Sequence, residues 1–327
     1  MGRSGAFSHE RRIDRNIGAA PRPSASWDQF KAAFVQPDGR VIDTGNGGIS
    51  HTESQGYGMV LAEAAGDRET FDAIHGWTER TLARSEDALF SWRYVPTDPD
   101  PVADRNNATD GDILIAWALT RAGARWGDRR YKTRAAAIRK SIHDLMVRPM
   151  GDHVFLLPGT SGFENPGRLT LNPSYYIWPA LSLFQQVDGA KMWGPVIAGG
   201  EALLRGARFG PLRLPTDWVD VAAPNDFTPA FGRPPLFGFD AIRVPLYLMM
   251  DGRMDAAREL SGFWRSYQSR GAPIPATVNV VTGEVAPYAL SDGAMAVANR
   301  LLDVPAAPKA PMSDYYSAVL QELCSMV

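Results

Sequence analysis

The sequence predicts an all-α fold. Eleven stretches carry apolar residues at helical spacing, whereas only three short stretches carry strand signals. The 327 residues, 45% of them hydrophobic, can fill a large core, and no Pro-rich or low-complexity linker divides the chain beyond Trp27. We therefore expect one helical domain with long, aromatic-bearing loops over residues 26–327, preceded by a leader or disordered segment at residues 1–25.

The predicted helices alternate with connections rich in Gly and Pro, which end helices and form turns. In chain order, the helices are predicted at residues 27–34, 53–65, 68–84, 112–124, 129–147, 173–186, 192–205, 240–249, 254–268, 292–302 and 313–326, and the strands at 88–95, 154–157 and 274–281.

Composition and charge exclude several classes of function. With 34 basic and 36 acidic residues the net charge is -2, so the chain lacks the basic character of proteins that bind nucleic acid or an anionic membrane. A neutral substrate suits this balance better. No apolar run approaches the roughly eighteen residues of a membrane span. Residues 1–25 lack the apolar core of an intact signal peptide.

No disulfide, metal site or cofactor is expected. Cys324 is the single cysteine, so no disulfide can form within the chain. The histidines show neither His-x-x-x-His spacing nor a Cys/His ligand pattern; they are His9, His51, His75, His143 and His153.

The most informative motif is Ala-Thr-Asp-Gly-Asp at residues 108–112, which opens a predicted helix. Asp110 and Asp112 are separated by one glycine, and carboxylates so close together repel each other in any shared pocket. Such a pair is typical of a site that performs chemistry or holds a polar ligand. The alternative is a helix N-cap, in which Thr109 or Asp110 accepts backbone N–H bonds, and the two roles can coexist.

Glu53 is the second candidate acid. Ser50 or Thr52 can cap the helix that begins beside it, and Gly56 and Gly58 permit the close approach of a bulky ligand. The alternative is that Glu53 serves only as a capping-box partner or complements the helix dipole.

Asp240 is the third candidate acidic residue. Arg243, three residues further along a predicted helix, can hold this carboxylate in one orientation and keep it ionised. An ordinary ion pair on a helix surface is the alternative.

These motifs resemble those of glycoside hydrolase family 8, the bacterial endoglucanases formerly called cellulase family D. Residues 108–126 are similar to the family signature, and residues 52–59 and 239–243 resemble its other two acidic motifs, in the right order. Asn-Pro-Ser-Tyr at 172–175 and Pro-Thr-Asp-Trp at 215–218 also resemble family segments. Among family members, the chain most resembles endoglucanases associated with bacterial cellulose synthesis.

The resemblance implies an (α/α)6 barrel, with six inner and six outer helices and a substrate cleft at one end. It implies an endo-acting hydrolase that cleaves internal β-1,4-glucosidic bonds of cellulose or a related β-glucan with inversion of configuration. By position, Glu53 is the general acid, Asp240 the general base oriented by Arg243, and Asp110 the carboxylate that holds the sugar at the cleavage point. The family often has Tyr before its base, where this chain has Phe239, so we expect a hydroxyl near the catalytic water to be missing.

Hydrolysis of an acetal requires such a set of carboxyls. One protonated carboxyl delivers a proton to the leaving oxygen, while an ionised one deprotonates water on the opposite face of the sugar. In inverting enzymes the two stand about 6.5 to 9.5 Å apart to admit that water.

A neutral polysaccharide is bound by flat aromatic faces flanked by polar groups. Trp92 occupies a place where related enzymes carry a sugar platform, and Tyr175 and Trp218 are weaker candidates. Arg243 and Asp112 complete the expected substrate-binding set. Helical apolar periodicity assigns three other tryptophans to the core: Trp117, Trp126 and Trp264.

Other functions remain open at this point. Xylan, chitosan and mixed-linkage glucan are alternative substrates, and a glucan-binding protein without catalysis or a polysaccharide lyase is an alternative class. A lyase would need a basic or tyrosine catalyst and an acidic substrate. From the resemblance we expect a periplasmic or secreted enzyme with a functional association with the cellulose synthase machinery.

Overall fold

The computed structural model of the protein describes residues 25–305, 312 and 314–327. Twelve α-helices lie in this described part, which confirms the prediction of a mainly helical fold. Residues 1–24 of the predicted leader fall outside the described residues, and Ala25 begins the first helix. The helices are α1 (Ala25–Phe34), α2 (Thr52–Ala65), α3 (Arg68–Leu82), α4 (Thr109–Arg125), α5 (Arg129–Met146), α6 (Trp178–Asp188), α7 (Ala190–Gly206), α8 (Arg243–Met250), α9 (Met254–Arg258), α10 (Gly262–Gln268), α11 (Asp292–Leu301) and α12 (Tyr315–Cys324).

Two predicted helices are interrupted. The stretch 173–186 begins as a separate 3₁₀ turn, Pro173–Tyr175, before α6 starts. The stretch 254–268 divides into α9 and α10, because the Ser261 hydroxyl donates a hydrogen bond of 2.6 Å to the Arg258 carbonyl and competes with helix continuation.

The helices pack in a closed ring. α4 packs between α2 and α5, α6 contacts α4 and α8, α8 contacts α11 and α12, and α12 returns to α2. Two glycines allow α2 and α4 to approach closely. A Cβ on Gly56 would lie 2.5 Å from the Leu114 Cβ, and one on Gly111 would lie 2.0 Å from Thr52 Oγ1. The N-termini of α2 and α4 consequently lie side by side at one end of the ring.

Ten short strands lie in the connections between the helices of the described part. They are β1 (Ser50–His51), β2 (Arg93–Tyr94), β3 (Val147–Met150), β4 (His153–Leu156), β5 (Glu164–Asn165), β6 (Arg168–Leu171), β7 (Val219–Ala223), β8 (Asp226–Pro229), β9 (Leu236–Phe237) and β10 (Val278–Asn279). β1 pairs with β2, β3 with β4, and β9 with β10, all antiparallel.

The largest sheet was not predicted. It has four antiparallel strands in the order β5-β6-β7-β8. Its inner strands carry buried polar residues among the apolar ones: the Thr170 hydroxyl donates a hydrogen bond of 2.6 Å to the Asp220 carboxylate across β6 and β7. These polar positions weaken the hydrophobic alternation by which strands are recognised in sequence.

The hydrophobic core fills the ring. Trp117 and Trp264 are almost completely buried, which confirms their assignment to the core. Trp126 is partly buried and packs edge-on against Phe71 and Tyr131. None of the helices in the described residues combines the length and the apolar character needed to cross a membrane.

Candidate active site

Glu53 lies in the first turn of α2, where His51 caps the helix. The Ser54 N–H donates to His51 Nδ1, and the His51 N–H donates to the Ser54 hydroxyl, each at 3.0 Å. The expectation that Ser50 or Thr52 caps this helix was wrong, because the imidazole nitrogen replaces the usual side-chain oxygen. Since Nδ1 accepts, the proton of the neutral ring belongs on Nε2, which lies 3.2 Å from Asp43 Oδ2.

The glycines that follow Glu53 serve packing between helices. Gly56 lies against Leu114 of α4, and a Cβ on Gly58 would lie 2.8 Å from Val41 Cγ2. Both glycines face the protein interior, which corrects the expectation that they admit a bulky ligand.

The Glu53 side chain reaches the end of the ring and is 19% exposed. Its Oε1 contacts Nη1 of Arg243 and accepts a hydrogen bond of 3.3 Å from the Tyr57 hydroxyl. The Tyr57 hydroxyl also contacts that of Tyr247. Glu53 is therefore held by an arginine and a tyrosine while part of its carboxyl group faces solvent.

Asp240 lies in a turn immediately before α8. The helix predicted at residues 240–249 therefore begins three residues later than expected, at Arg243. Arg243 Nη2 donates to Asp240 Oδ1 at 2.6 Å, and Asn172 Nδ2 donates to Asp240 Oδ2 at 3.0 Å. Burial raises the pKa of Asp240 to about 6, although the Asn172 hydrogen bond and the charge of Arg233 oppose the rise. The side chain remains 31% exposed.

Asp110 lies in the first turn of α4 and is nearly buried. The Gly111 N–H donates to its Oδ1 at 2.8 Å, and Arg243 Nη1 lies 3.7 Å from its Oδ2. Burial, and to a lesser extent the charge of Asp240, raises the pKa of Asp110 to about 7, against hydrogen bonds that include one from Tyr175. The N-cap position is occupied by Ala108, without a side-chain hydrogen bond, and not by Thr109 or Asp110; the backbone N–H that Asp110 accepts is that of the adjacent Gly111.

Asp112 points away from this group and is 0% exposed. The Phe90 N–H donates to its Oδ1 at 3.1 Å, and Asn107 Nδ2 donates to its Oδ2 at 2.8 Å. Burial raises its pKa to about 7 despite these two bonds. Since protein donors occupy both oxygens, the expectation of a substrate contact for Asp112 is corrected to a structural role behind the site.

Arg243 connects the three remaining carboxylates. Its buried guanidinium contacts Glu53 and Asp110 through Nη1 and Asp240 through Nη2. Nη2 also donates to the Ser174 hydroxyl at 3.1 Å. Glu53 and Asp240 are 187 positions apart in the sequence (240 − 53), and the fold brings both of them, together with Asp110, around one cation.

Trp92 lies beside the start of α2, where its carbonyl accepts the Thr52 N–H at 2.9 Å. Its indole N–H donates to Asp104 at 2.7 Å, and the Arg93 guanidinium lies 4.8 Å from its ring centre. The ring is half-buried. This anchoring places a fixed aromatic ring next to the segment that carries Glu53.

Tyr175 and Trp218 contact each other edge-on, with ring centres 6.1 Å apart. The Tyr175 hydroxyl hydrogen-bonds to Asp110, so Tyr175 lies at the carboxylate cluster. Trp218 is covered more closely: the Arg233 guanidinium lies 3.8 Å from its ring centre, and Phe163 stacks parallel to it at 5.7 Å. One face of Trp218 is therefore occupied by an arginine.

Comparison with known proteins identifies the chain. The family Glycosyl hydrolases family 8 matches residues 5–327. The chain belongs to glycosyl hydrolase family 8.

Relatives of this family 8 member are similar along most of their length. An "Endoglucanase" from Cellulomonas uda is 43% identical over 86% of this chain and 78% of that protein, and a "Probable endoglucanase" from Novacetimonas hansenii is 42% identical over 92% and 90%. The crystal structure of endoglucanase Cel10 from Klebsiella pneumoniae superimposes with a TM-score of 0.88 at 42% identity, covering 92% of this chain and 98% of that one. These likenesses confirm the (α/α)6 barrel.

This family 8 chain departs from the frequent family pattern at Phe239, which is 57% exposed beside Asp240. Its backbone carbonyl accepts a hydrogen bond from the Tyr316 hydroxyl of α12. Phenolic hydroxyls are nevertheless present around Asp240, because both Tyr175 and Tyr316 lie close enough for its charge to raise their pKa values, after the larger effect of burial.

Sequence reasoning missed several residues of this family 8 site. Asn172 and Asp217 lie in segments that resemble family motifs, but no spacing rule connects either to Asp240. Asp217 accepts the N–H groups of Gly238 and Ala241 on either side of Asp240, at 3.1 and 2.8 Å. Burial, and then the charge of Asp240, raises the pKa of Asp217 to about 7.

Proposed function

We propose that this protein is an endo-1,4-β-glucanase that inverts configuration at the anomeric carbon, with Glu53 as general acid and Asp240 as general base. The observation that carries the proposal is the arrangement around Arg243. One buried guanidinium holds both carboxyls at the end of the helix ring, and both remain partly exposed. The names of the relatives from Cellulomonas uda and Novacetimonas hansenii support the same activity.

The two carboxyls are suited to a single displacement. Glu53 contacts Nη1 and Asp240 contacts Nη2, so the proposed acid and base bind different nitrogens of one guanidinium. An inverting site needs its acid and base on opposite sides of the sugar, with room for a water beside the base. Asp240 takes a proton from the water as the water oxygen bonds to the anomeric carbon. Glu53 gives a proton to the glycosidic oxygen as the bond between that oxygen and the anomeric carbon breaks.

Asp110 and Tyr175 form the inner wall of the proposed cleavage point. Tyr175 acts on Asp110 as a hydrogen-bond partner, and Asp110 contacts the same guanidinium nitrogen of Arg243 as Glu53 does. Asp110 can accept hydrogen bonds from sugar hydroxyls there, and such bonds help to hold a distorted ring. Trp92 supplies the proposed aromatic platform on the Glu53 side.

The substrate is proposed to be cellulose or a related β-glucan, met outside the cytoplasm in the periplasm or after secretion. An association with the cellulose synthase machinery follows from the resemblance to endoglucanases of cellulose synthesis. The catalytic domain is proposed to span residues 26–327.

The test is a panel of soluble polymers, including β-glucans, xylan and chitosan, with detection of new reducing ends. We expect the fastest release from β-1,4-glucan and a rapid fall in viscosity, because internal cleavage shortens chains early. Proton NMR recorded before mutarotation should show the α-anomer first. An initial β-anomer would exclude Asp240 as the base, and fastest release from xylan or chitosan would reassign the substrate.

The acid and base are tested by Glu53→Gln and Asp240→Asn. Each should lower turnover by about a hundredfold or more, the range expected for loss of an acid or base. Glu69→Gln and Asp98→Asn are matched controls, because both side chains are exposed and neither carboxylate forms an ion pair with Arg243. Near-normal turnover in either site variant, or release of an unsaturated product that absorbs ultraviolet light, would contradict the proposed mechanism.

A further inference from the structure

Arg233 is a cation close to the site and stacks on Trp218. It lies in the turn after β8, it is exposed, and no carboxylate of the described residues comes within 4 Å of its guanidinium. Its position is fixed by Trp218, whose ring centre lies 3.8 Å away. Stacking of a guanidinium on an indole is favourable and leaves the positive charge uncompensated.

Hydrogen bonds link the turn that carries Arg233 to the turn that carries Asp240. The Ala230 N–H donates to the Trp218 carbonyl at 3.1 Å, and the Asp217 N–H donates to the Leu236 carbonyl at 2.8 Å, so hydrogen bonds lie on both sides of Arg233. The Asp217 side chain in turn holds the N–H groups that flank Asp240. The adjacent residues Asp217 and Trp218 therefore link the turn of Arg233 to the turn of Asp240: Trp218 contacts the first and Asp217 the second.

The titratable groups that face Asp240 are predominantly acidic. Asp110 from α4 and Asp217 from the segment before β7 are carboxyls, whereas Tyr175 and Tyr316 are phenols. Arg243 is positive, but it also contacts Glu53 and Asp110. One cation is thus divided among three carboxylates, and Arg233 is the second positive charge that acts on Asp240.

We propose that Arg233, fixed against Trp218, is a positioning residue that acts through Asp240 by keeping this carboxylate ionised in the free enzyme. The inference rests on the proposed function, in which Asp240 is the general base. Asp240 must be ionised to accept a proton from water. A nearby cation stabilises that form, and Arg233 does so without forming an ion pair that would block the oxygens.

The experiment measures kcat/KM against pH with cellopentaose, a neutral oligosaccharide that has no charge of its own for Arg233 to attract. Arg233→Met removes the charge and keeps a long side chain over Trp218, whereas Arg233→Lys keeps the charge. The acidic limb of kcat/KM reports the base in the free enzyme. We expect this limb to move to higher pH by about half a unit in Arg233→Met at low salt, and to stay in place in Arg233→Lys.

Arg80→Met is the matched control, because Arg80 is an exposed arginine of α3 that does not act on Asp240. An unmoved limb with a uniform fall in kcat/KM would overturn the inference and indicate a substrate contact. Equal shifts in the Met and Lys variants would also overturn it, since stacking and not charge would then be responsible.

Asp240→Asn, assayed in parallel, separates this inference from the proposed function. If Asp240→Asn keeps normal activity, the proposed base is wrong. If it is inactive while Arg233→Met has an unmoved acidic limb, only the inference about Arg233 fails.

Discussion

The Asp217 carboxylate accepts the Ala241 N–H at 2.8 Å, directly after the residue proposed as general base. The same oxygen accepts the Gly238 N–H at 3.1 Å, and a Cβ at residue 238 would lie 2.5 Å from the other oxygen. Gly238 therefore leaves the space that the Asp217 carboxylate occupies, next to the turn that contains Asp240. The conformation of that turn depends on an acceptor 23 residues away (240 − 217) in the sequence.

Asp217→Ala should impair both stability and turnover. Two backbone N–H groups lose their acceptor, and each unsatisfied buried donor costs about 1–3 kcal/mol. Asp217→Asn keeps an acceptor oxygen for both N–H groups, so it should be more stable and more active than Asp217→Ala. Because the pKa of the Asp217 carboxyl is about 7, above that of Asp240, this carboxyl is largely protonated where Asp240 titrates, and the acidic limb of kcat/KM should stay in place in Asp217→Asn. Thermal unfolding and pH–rate profiles of both variants check this. Unchanged unfolding and turnover in Asp217→Ala would mean that Asp217 does not support the turn of Asp240.

Substitution of Asp112 should mainly lower the stability of the protein, and substitution of Asp110 should mainly lower its activity. Asp112→Ala leaves the Phe90 N–H and the Asn107 amide without their acceptor, so the free energy of unfolding should fall by at least about 1–3 kcal/mol, while kcat of the folded enzyme changes little. Asp110→Asn should lower kcat by about a hundredfold and leave the melting temperature unchanged or higher, because it removes a buried charge. Calorimetry combined with active-site kinetics tests the pair, and equal losses of activity in both variants would contradict the assigned roles.

The sequence predicted the helical fold and the three acidic positions for a physical reason. Helical periodicity is local, and each acidic residue lies within a few residues of a helix start, where side-chain spacing and capping rules apply. The barrel closure was not accessible from periodicity and came from the family resemblance. The four-stranded sheet was missed because its strands are short and polar residues such as Thr170 and Asp220 pair within it.

The side-chain directions in the site could not be read from the sequence. Asp110 and Asp112 are two residues apart on one helix, and their spacing alone does not tell which one faces the cleft and which one binds Asn107 behind it. Contacts made through the fold, such as Asn172 to Asp240 and Arg233 on Trp218, join residues that no local rule relates.

Trp92→Ala should weaken the binding of cello-oligosaccharides by about 1–2 kcal/mol, because a half-buried ring at the site offers an aromatic face to a sugar. Trp92→Phe keeps a ring but loses the indole bond to Asp104, so it should retain most of the affinity. Titration calorimetry in the Asp240→Asn background measures binding without turnover. A large fall in melting temperature for Trp92→Ala with unchanged affinity would place the ring in the core and remove the platform role.

The clustered carboxyls also predict how stability depends on pH. Burial is the first cause of the raised pKa values of four aspartates, Asp110, Asp112, Asp217 and Asp240, which lie at about 6 to 7. In the unfolded chain an aspartate titrates near pH 3.9, so between about pH 4 and 7 the folded protein retains protons that the unfolded chain has released. The free energy of unfolding should therefore fall as the pH rises through this window.

Aspartates with lowered pKa values, such as Asp67 at about 2, act only below this window and do not cancel the effect. Urea unfolding at constant ionic strength should give a higher free energy of unfolding at pH 5 than at pH 7.5. The difference should be smaller in Asp110→Asn, which removes one of the buried acids, and unchanged in the surface control Asp98→Asn. A free energy of unfolding that is constant or increases from pH 5 to 7.5 would show that these carboxyls are ionised as readily in the folded protein as in the unfolded chain.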